Sequence, residues 1–171
     1  MRLRATWGIA GAAVLAMTVW ATPAMGAGND VVLNAAAAQK LLPSQVYYHG
    51  QTATTQLRNS CGVKFGDGGY LLAVLVDTSG YSSEVAAKYQ AYLITEVPIR
   101  FGRQSLPAGV YGVGFIARNE FVVTDVGAHG LLTAPDAVDE TMQRPIPLQI
   151  VSDPAGEFRL YEGRKYVRFK R

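Results

Sequence analysis

From residue 46 to its end, the chain consists of short runs of β-branched and aromatic residues separated by turns that contain glycine or proline. Such side chains favour strands, and such turns favour hairpins. The clearest strand-like runs are residues 46–49, 52–57, 61–65, 70–76, 110–117, 121–126, 147–152, 157–161 and 166–170. The long helices that alternate with strands in a parallel sheet are missing from the pattern. The sequence therefore predicts a mainly β fold, an antiparallel β-sandwich or a small barrel.

One run is apolar at nearly every position. Residues 70–76 lack the alternation of polar and apolar side chains that marks a strand with one solvated face. A continuous apolar run of this length is typical of a strand that is buried on both sides. We therefore predict that it occupies a central position in the fold.

A single short helix is predicted within the β-rich part, over residues 82–90. Ser82 or Ser83 can cap its N-terminus, and Glu84 suits its first turn. Val85 and Tyr89 fall on one face at helical spacing. The remainder of the domain is predicted to be strands and turns.

The first 26 residues have the organisation of a secretory signal peptide. Arg2 and Arg4 precede an apolar stretch of about 15 residues, and small residues follow it up to Ala27. A membrane-spanning helix needs roughly 20 apolar residues. The sequence therefore predicts an N-terminal signal helix that is cleaved, a periplasmic or secreted location of the bacterial type, and no transmembrane span after cleavage.

The rest of the chain divides into two predicted parts. Residues 27–44, with four consecutive alanines, are predicted to be a linker or a short helix, and residues 45–171 to be one β-rich domain. A domain of that length can bury a sufficient core without disulfides. Cys61 is the only cysteine of the sequence. Its place in a strand-like run predicts burial, and pairing between two chains is the alternative.

Without its first 26 residues the chain is close to electrical neutrality. The whole sequence has 16 Lys and Arg residues against 13 Asp and Glu residues. The signal peptide contributes Arg2 and Arg4 and no acid, which leaves 14 cations against 13 anions. This balance gives no support for nucleic acid as a partner.

The C-terminal segment is locally basic, with Glu162 as its single acid. Its cations are Arg159, Arg164, Lys165, Arg168, Lys170 and Arg171. One interpretation is a solvated strand whose charges oppose aggregation along its edge. The other is a patch for an anionic envelope surface, in which Arg164, Lys165, Arg168 and Lys170 make the contacts.

Residues 74–80 contain the sequence's nearest approach to a catalytic motif. An apolar strand that ends in Asp77 and Thr78 resembles the active-site turn of the aspartic proteases, in which two carboxylates share a proton. That family has glycine directly after Asp-Thr, whereas Ser79 stands there in this chain. The resemblance implies a second carboxylate, for which Asp125 is the candidate. His129 is the alternative partner.

Metal and cofactor sites are not indicated. The two histidines, His49 and His129, and the one cysteine are dispersed, whereas a zinc site gathers three or four ligands. No nucleophile elbow, phosphate-binding loop or dinucleotide fingerprint occurs in the sequence. We therefore expect neither a metal nor a cofactor.

Among nine tyrosines, Tyr81 lies in a polar loop and is expected to be exposed and available to bind a ligand.

Together these patterns favour an exported, non-enzymatic envelope protein that serves as a β-rich binding or structural module. Its expected partner is an apolar or amphipathic small molecule, an anionic envelope surface or another envelope protein. The alternative is a hydrolase that uses Asp77 with a second carboxylate or a histidine, in the manner of an aspartic protease.

Export predicts a measurable loss of mass. After pulse-labelling, we expect a precursor that is shortened by about 26 residues and recovered in a soluble periplasmic or secreted fraction, because its apolar stretch is too short to remain as an anchor. Fractionation and mass spectrometry of the product check this. Protein of full precursor mass that stays in the membrane pellet would contradict it.

Overall fold

The structure, a computed structural model, describes residues 29–171, which fold mainly into antiparallel strands with two short helices. The strands are β1 (Val31–Leu33), β2 (Gln45–Tyr48), β3 (Gln51–Lys64), β4 (Tyr70–Val76), β5 (Ala91–Thr95), β6 (Ile99–Phe101), β7 (Gln104–Leu106), β8 (Gly109–Ile116), β9 (Glu120–Thr124), β10 (Gly130–Pro135), β11 (Ala137–Val138), β12 (Leu148–Ser152), β13 (Phe158–Glu162) and β14 (Lys165–Phe169). The helices are α1 (Ala35–Ala38) and α2 (Ser83–Lys88). The prediction of a mainly β, antiparallel chain is confirmed. The predicted signal peptide lies outside the described residues.

Hydrogen bonds join most of these strands into two sheets. The main sheet has eight strands. Seven of them follow the order β1-β3-β4-β5-β8-β9-β10, and the eighth, β2, pairs with the first part of β3. The small sheet has four strands in the order β11-β14-β13-β12. Strands β6 and β7 form a hairpin, which is joined to the end of β14 by backbone bonds between Arg100 and Lys170.

Both short helices begin at a side chain that accepts a backbone hydrogen bond. The predicted helix is confirmed as α2, and the Ser82 hydroxyl caps it by accepting from the Val85 amide at 3.4 Å. Residues 27–44, predicted to be a linker or a short helix, contain β1, which pairs with β3, and then α1, which Asn34 caps through the Ala37 amide at 3.0 Å. The described residues therefore contain two short helices, α2 in the β-rich domain and α1 in the segment predicted to be a linker or a short helix. Neither is long and apolar enough to cross a membrane.

Strand β4 is buried on both faces because alternate side chains enter different apolar clusters. Leu71 and Ala73 belong to a large cluster on one face of the main sheet. Leu72, Val74 and Val76 belong to a smaller cluster on the other face. Successive side chains of a strand point to opposite faces. This confirms the prediction that the run is central, and β4 indeed lies between β3 and β5.

The large cluster contains side chains from both sheets and from the β6–β7 hairpin. Phe101 of the hairpin contacts Phe121 of the main sheet at a ring-centroid distance of 5.2 Å and Phe169 of the small sheet at 6.1 Å. Phe169 stacks in turn on Phe158 at 5.4 Å. Full burial of a side chain of this size stabilises the folded state by roughly 1.5–3 kcal/mol. These rings therefore hold the small sheet and the hairpin against the main sheet.

The smaller cluster is built around stacked tyrosines beneath α2. The rings of Tyr48 and Tyr89 are nearly parallel, with centroids 3.6 Å apart. The Thr124 hydroxyl donates to the Gly112 carbonyl at 3.1 Å, so at 2.6 Å the Tyr48 hydroxyl is the donor to Thr124. This chain of bonds fixes β2 against β8 and β9.

Two glycines of β8 make room for this cluster. A Cβ atom on Gly112 would lie against the Tyr48 ring and 2.8 Å from the Thr124 hydroxyl oxygen. A Cβ atom on Gly114 would lie 2.7 Å from the carbonyl oxygen of Lys88, at the end of α2. Glycine weakens a strand unless another part of the chain needs the space. Here the bare backbone accepts a tyrosine ring and a helix end.

Replacement of Gly114 by alanine tests this packing. The new methyl group would push against the backbone of α2, so we expect Gly114→Ala to lower the free energy of unfolding by about 1–3 kcal/mol. Gly130→Ala is the matched control, because a Cβ atom there meets nothing within 4 Å. The free energy of unfolding of Gly130→Ala should stay within about 0.5 kcal/mol of the wild-type value. Urea unfolding followed by circular dichroism measures both, and equal stability of the two variants would contradict the packing.

Candidate functional site

The best candidate site is an apolar cleft at one end of the main sheet, with a volume of about 400 Å³. Small-molecule sites are concave, mostly apolar, and roughly 300–1,000 Å³ in volume. Three segments form its walls: β1 with the start of α1, part of β3, and the chain that leads into β12. Its lining residues are Val32, Leu33, Asn34, Ala35, Arg58, Asn59, Ser60, Cys61, Ile146, Pro147, Leu148, Gln149 and Ile150.

A bulge in β3 shapes one wall of the cleft. Thr55 lies opposite Val76 of β4 and Ser60 lies opposite Val74, so β3 has three more residues than β4 in this interval. Such insertions bend a strand and redirect its side chains. Within the bulge, the Ser60 hydroxyl donates to the Leu57 carbonyl at 2.6 Å. The bulge brings Arg58 to the cleft.

The opposite wall is apolar and partly open to solvent. Leu148 and Ile150 of β12 are buried in the large cluster. Ile146, just before them, keeps 48% of its surface exposed. Leu33 is half-buried on the β1 side. The lining of the cleft therefore includes both buried core side chains and an isoleucine that reaches solvent.

Among the described residues that line the cleft, Arg58 is the one that carries a charge. Its side chain is exposed, and within residues 29–171 it makes no ion pair with a carboxylate. Asn34 uses its amide oxygen to cap α1. The result is an apolar recess whose rim carries one unpaired positive charge.

Cys61 lies in the wall of the cleft as a free, buried thiol. Only 2% of its surface is exposed. Burial raises the pKa of this thiol far above its ordinary value, because the apolar surroundings disfavour the thiolate. The reactive form of cysteine is the thiolate, so the residue acts here as a small apolar wall side chain.

Asp77, the first of the sequence-predicted catalytic candidates, is exposed in the loop after β4. Its carboxylate accepts a hydrogen bond from the Ser79 backbone amide at 3.0 Å. This bond lowers the pKa of Asp77 below its ordinary value. Asp77 thus stabilises its own turn, as an Asx turn does.

Asp125 and His129 are brought together, but through their own turn. The Asp125 carboxylate accepts from the backbone amides of Gly127 and His129, each at 2.9 Å, and lies 3.0 Å from the His129 Nδ1 atom. The His129 amide, followed by the His129 ring, lowers the pKa of Asp125. Asp77 and Asp125 have separate hydrogen-bond partners. The aspartic-protease arrangement needs two carboxylates that bond to each other.

A second, more polar recess of about 390 Å³ adjoins this turn. It is lined by Tyr48, His49, Ser82, Glu84, Val85, Lys88, Thr124, Gly127, Ala128 and His129. Its charged groups are largely occupied locally, since Lys88 pairs with Glu84 at 3.3 Å on the surface of α2. Within the described residues, no three His, Cys, Asp or Glu side chains are grouped to hold a metal ion.

Tyr81 is half-buried rather than exposed. Its ring packs edge-on against Tyr48 and Tyr89, with centroids 6.0 Å and 5.4 Å away. Its hydroxyl donates to the Tyr48 carbonyl at 3.1 Å. The sequence indicates a polar loop around this residue, but the loop folds the ring onto the tyrosine stack.

Three of the four cations predicted to contact an anionic surface already face carboxylates. Lys165 lies 3.6 Å from Asp136, whose side chain is fully buried, and it also donates to the Ile116 carbonyl at 3.0 Å. The Arg168 guanidinium lies 3.4 Å from Asp153, and the Lys170 amine lies 3.5 Å from Glu157. Arg164 is exposed in the turn between β13 and β14 and makes no ion pair within the described residues. The basic segment is therefore largely neutralised by its own neighbours.

The comparisons with known proteins add no relative. No family model matches the sequence, and searches of the curated proteins and of the solved structures found no match. Its function is therefore inferred from the geometry and chemistry of its surface.

Sequence reasoning did not find the apolar cleft or Arg58. The walls come from segments far apart in the chain, and the inserted residues of the β3 bulge look like an ordinary polar break between two strands. The available signal was the polar pair Arg58 and Asn59 between strand-like runs at 52–57 and 61–65. A polar interruption of that kind marks a bulge as well as a turn.

The burial of Cys61 predicts slow modification in the folded protein. Because burial disfavours its thiolate, we expect a thiol-specific reagent to modify it only as fast as the domain opens, and rapidly in urea. Release of the chromophore from an aromatic disulfide reagent measures both rates. A stoichiometric reaction within seconds in native buffer, or a disulfide dimer on a non-reducing gel, would contradict this placement.

Proposed function

We propose that this chain is an exported, non-enzymatic protein of the cell envelope that acts as a β-rich binding module for an apolar or amphipathic small molecule. The observation that carries the proposal is the cleft of about 400 Å³ beside β1, β3 and β12, with its apolar walls. Export is supported by the arrangement of the first 26 residues, with Arg2 and Arg4 before a short apolar stretch.

The same proposal includes an antiparallel sandwich as the finer description of the fold. Its support is that the large cluster takes side chains from both sheets. Within the described residues, β1 and β10 lie at opposite ends of the main sheet and do not pair with each other, which a closed barrel would require. In a sandwich, the small sheet covers one face and leaves the cleft at its margin.

Binding is favoured over hydrolysis by the state of the candidate catalytic groups. Asp77 bonds to the amide of Ser79, and Asp125 bonds within the turn that ends at His129. The hydrolase alternative requires Asp77 to meet a second carboxylate or a histidine across a cleft. In contrast, the apolar cleft has the volume of a small-molecule site.

Copurification tests the binding function. Protein isolated from the native envelope and extracted with organic solvent should release one apolar or amphipathic compound in stoichiometric amount, identified by mass spectrometry. Ile146→Glu should abolish release of the compound, because it places a charge in the apolar wall of the cleft. Ile146 already reaches solvent, so the new charge is not placed in the core. Val138→Glu is the matched control, since Val138 is 43% exposed on β11 and does not line the cleft.

The control variant, Val138→Glu, should retain the bound compound. Absence of any compound from wild-type protein, together with failure to bind added amphiphiles, would contradict the proposed function. Equal retention by the two variants would show that the ligand binds elsewhere.

A further inference from the structure

The apolar cleft carries information beyond its shape, because the one charged side chain among the described residues that line it is a cation. Arg58 is exposed at the rim, and no acidic residue is present among the described residues that line the cleft. Within residues 29–171, no carboxylate lies at ion-pair distance from Arg58. A guanidinium presents five N–H donors in a planar fork that matches a carboxylate.

A second donor faces the same recess. Asn34 lies at the end of β1, and its amide oxygen is occupied by the Ala37 amide at 3.0 Å. Its amide nitrogen makes no hydrogen bond within the described residues and remains a donor at the cleft. A deprotonated carboxylate only accepts hydrogen bonds. Arg58 and Asn34 therefore complement an anionic head rather than a cationic or a purely apolar one.

The volume of the cleft limits the length of the hydrocarbon chain that a ligand can place inside it. A cavity of about 400 Å³ is near the lower end of the range for small-molecule sites. Val32, Leu148 and Ile150 line the cleft and belong to the large apolar cluster or pack against it, so they offer apolar contacts to a hydrocarbon chain. This size favours a single short hydrocarbon chain, with its head at the surface beside the bulge in β3.

We propose that the apolar cleft binds a single-chain amphiphile with a carboxylate head, and that Arg58 selects the head group. This inference rests on the proposed binding function and adds the class of ligand. Arg58 is a specificity residue at the rim. The apolar walls provide most of the affinity, because burial of each CH₂ group is worth roughly 0.8 kcal/mol.

The test compares two probes of equal chain length. The processed protein, freed of bound lipid, is titrated by calorimetry with decanoate and with decanol. Wild type should bind decanoate roughly five- to tenfold more tightly than decanol, as expected for one exposed, charge-assisted contact. Added salt should weaken the binding of decanoate but not of decanol, because the contact is screened.

Arg58→Gln should remove the preference for decanoate over decanol. Its affinity for decanoate should fall to that for decanol, while its affinity for decanol stays at the wild-type value and shows that the cleft is intact. Arg58→Lys should recover part of the preference, since the charge returns without the planar fork. Arg103→Gln is the matched control, because Arg103 is an exposed arginine in the β6–β7 turn and does not line the cleft.

The outcomes separate the two proposals. If Arg58→Gln binds decanoate as wild type does, or if Arg103→Gln loses the preference equally, the carboxylate inference is overturned while decanol binding still supports the binding function. If wild type binds neither probe, both proposals are overturned.

Discussion

Burial of the main sheet on both of its faces is the constraint on which the other features depend. Strand β4 sends Leu71 and Ala73 into one apolar cluster and Leu72, Val74 and Val76 into the other. A sheet of this kind needs a cover on each side. The small sheet and the β6–β7 hairpin cover one face, and β2, α1 and α2 cover the other. The apolar cleft lies where the first cover meets β1 and β3.

The fold was predictable wherever a local pattern determined the result. Continuous apolar character placed the run at 70–76 in the centre, and Ser82 with Glu84 marked the beginning of α2. Within residues 27–44, predicted to be a linker or a short helix, three residues, Val31–Leu33, gain strand structure from pairing with β3. Three residues are too few for periodicity to be informative. Tertiary pairing decided their conformation.

The candidate site was much less predictable, since long-range register creates it. Asp77 and Asp125 were recognisable as strand-end acids, but sequence alone does not distinguish a carboxylate that closes its own turn from one that faces a cleft. Likewise, the charges of Lys165, Arg168 and Lys170 were visible, whereas the acids opposite them come from neighbouring loops. Arg58 gave no signal beyond a polar break in an apolar run.

The three-part construction of the cleft has a thermodynamic consequence. Its walls come from β1 with α1, from the bulge of β3 and from the approach to β12, which lie far apart in the chain and meet only in the native fold. The unfolded chain cannot present such a surface. By mass action, an occupant that binds the native state alone raises its stability by about 2.7 kcal/mol at a free concentration 100 times its dissociation constant. Occupancy of the cleft and cooperative melting of the whole domain are therefore thermodynamically linked.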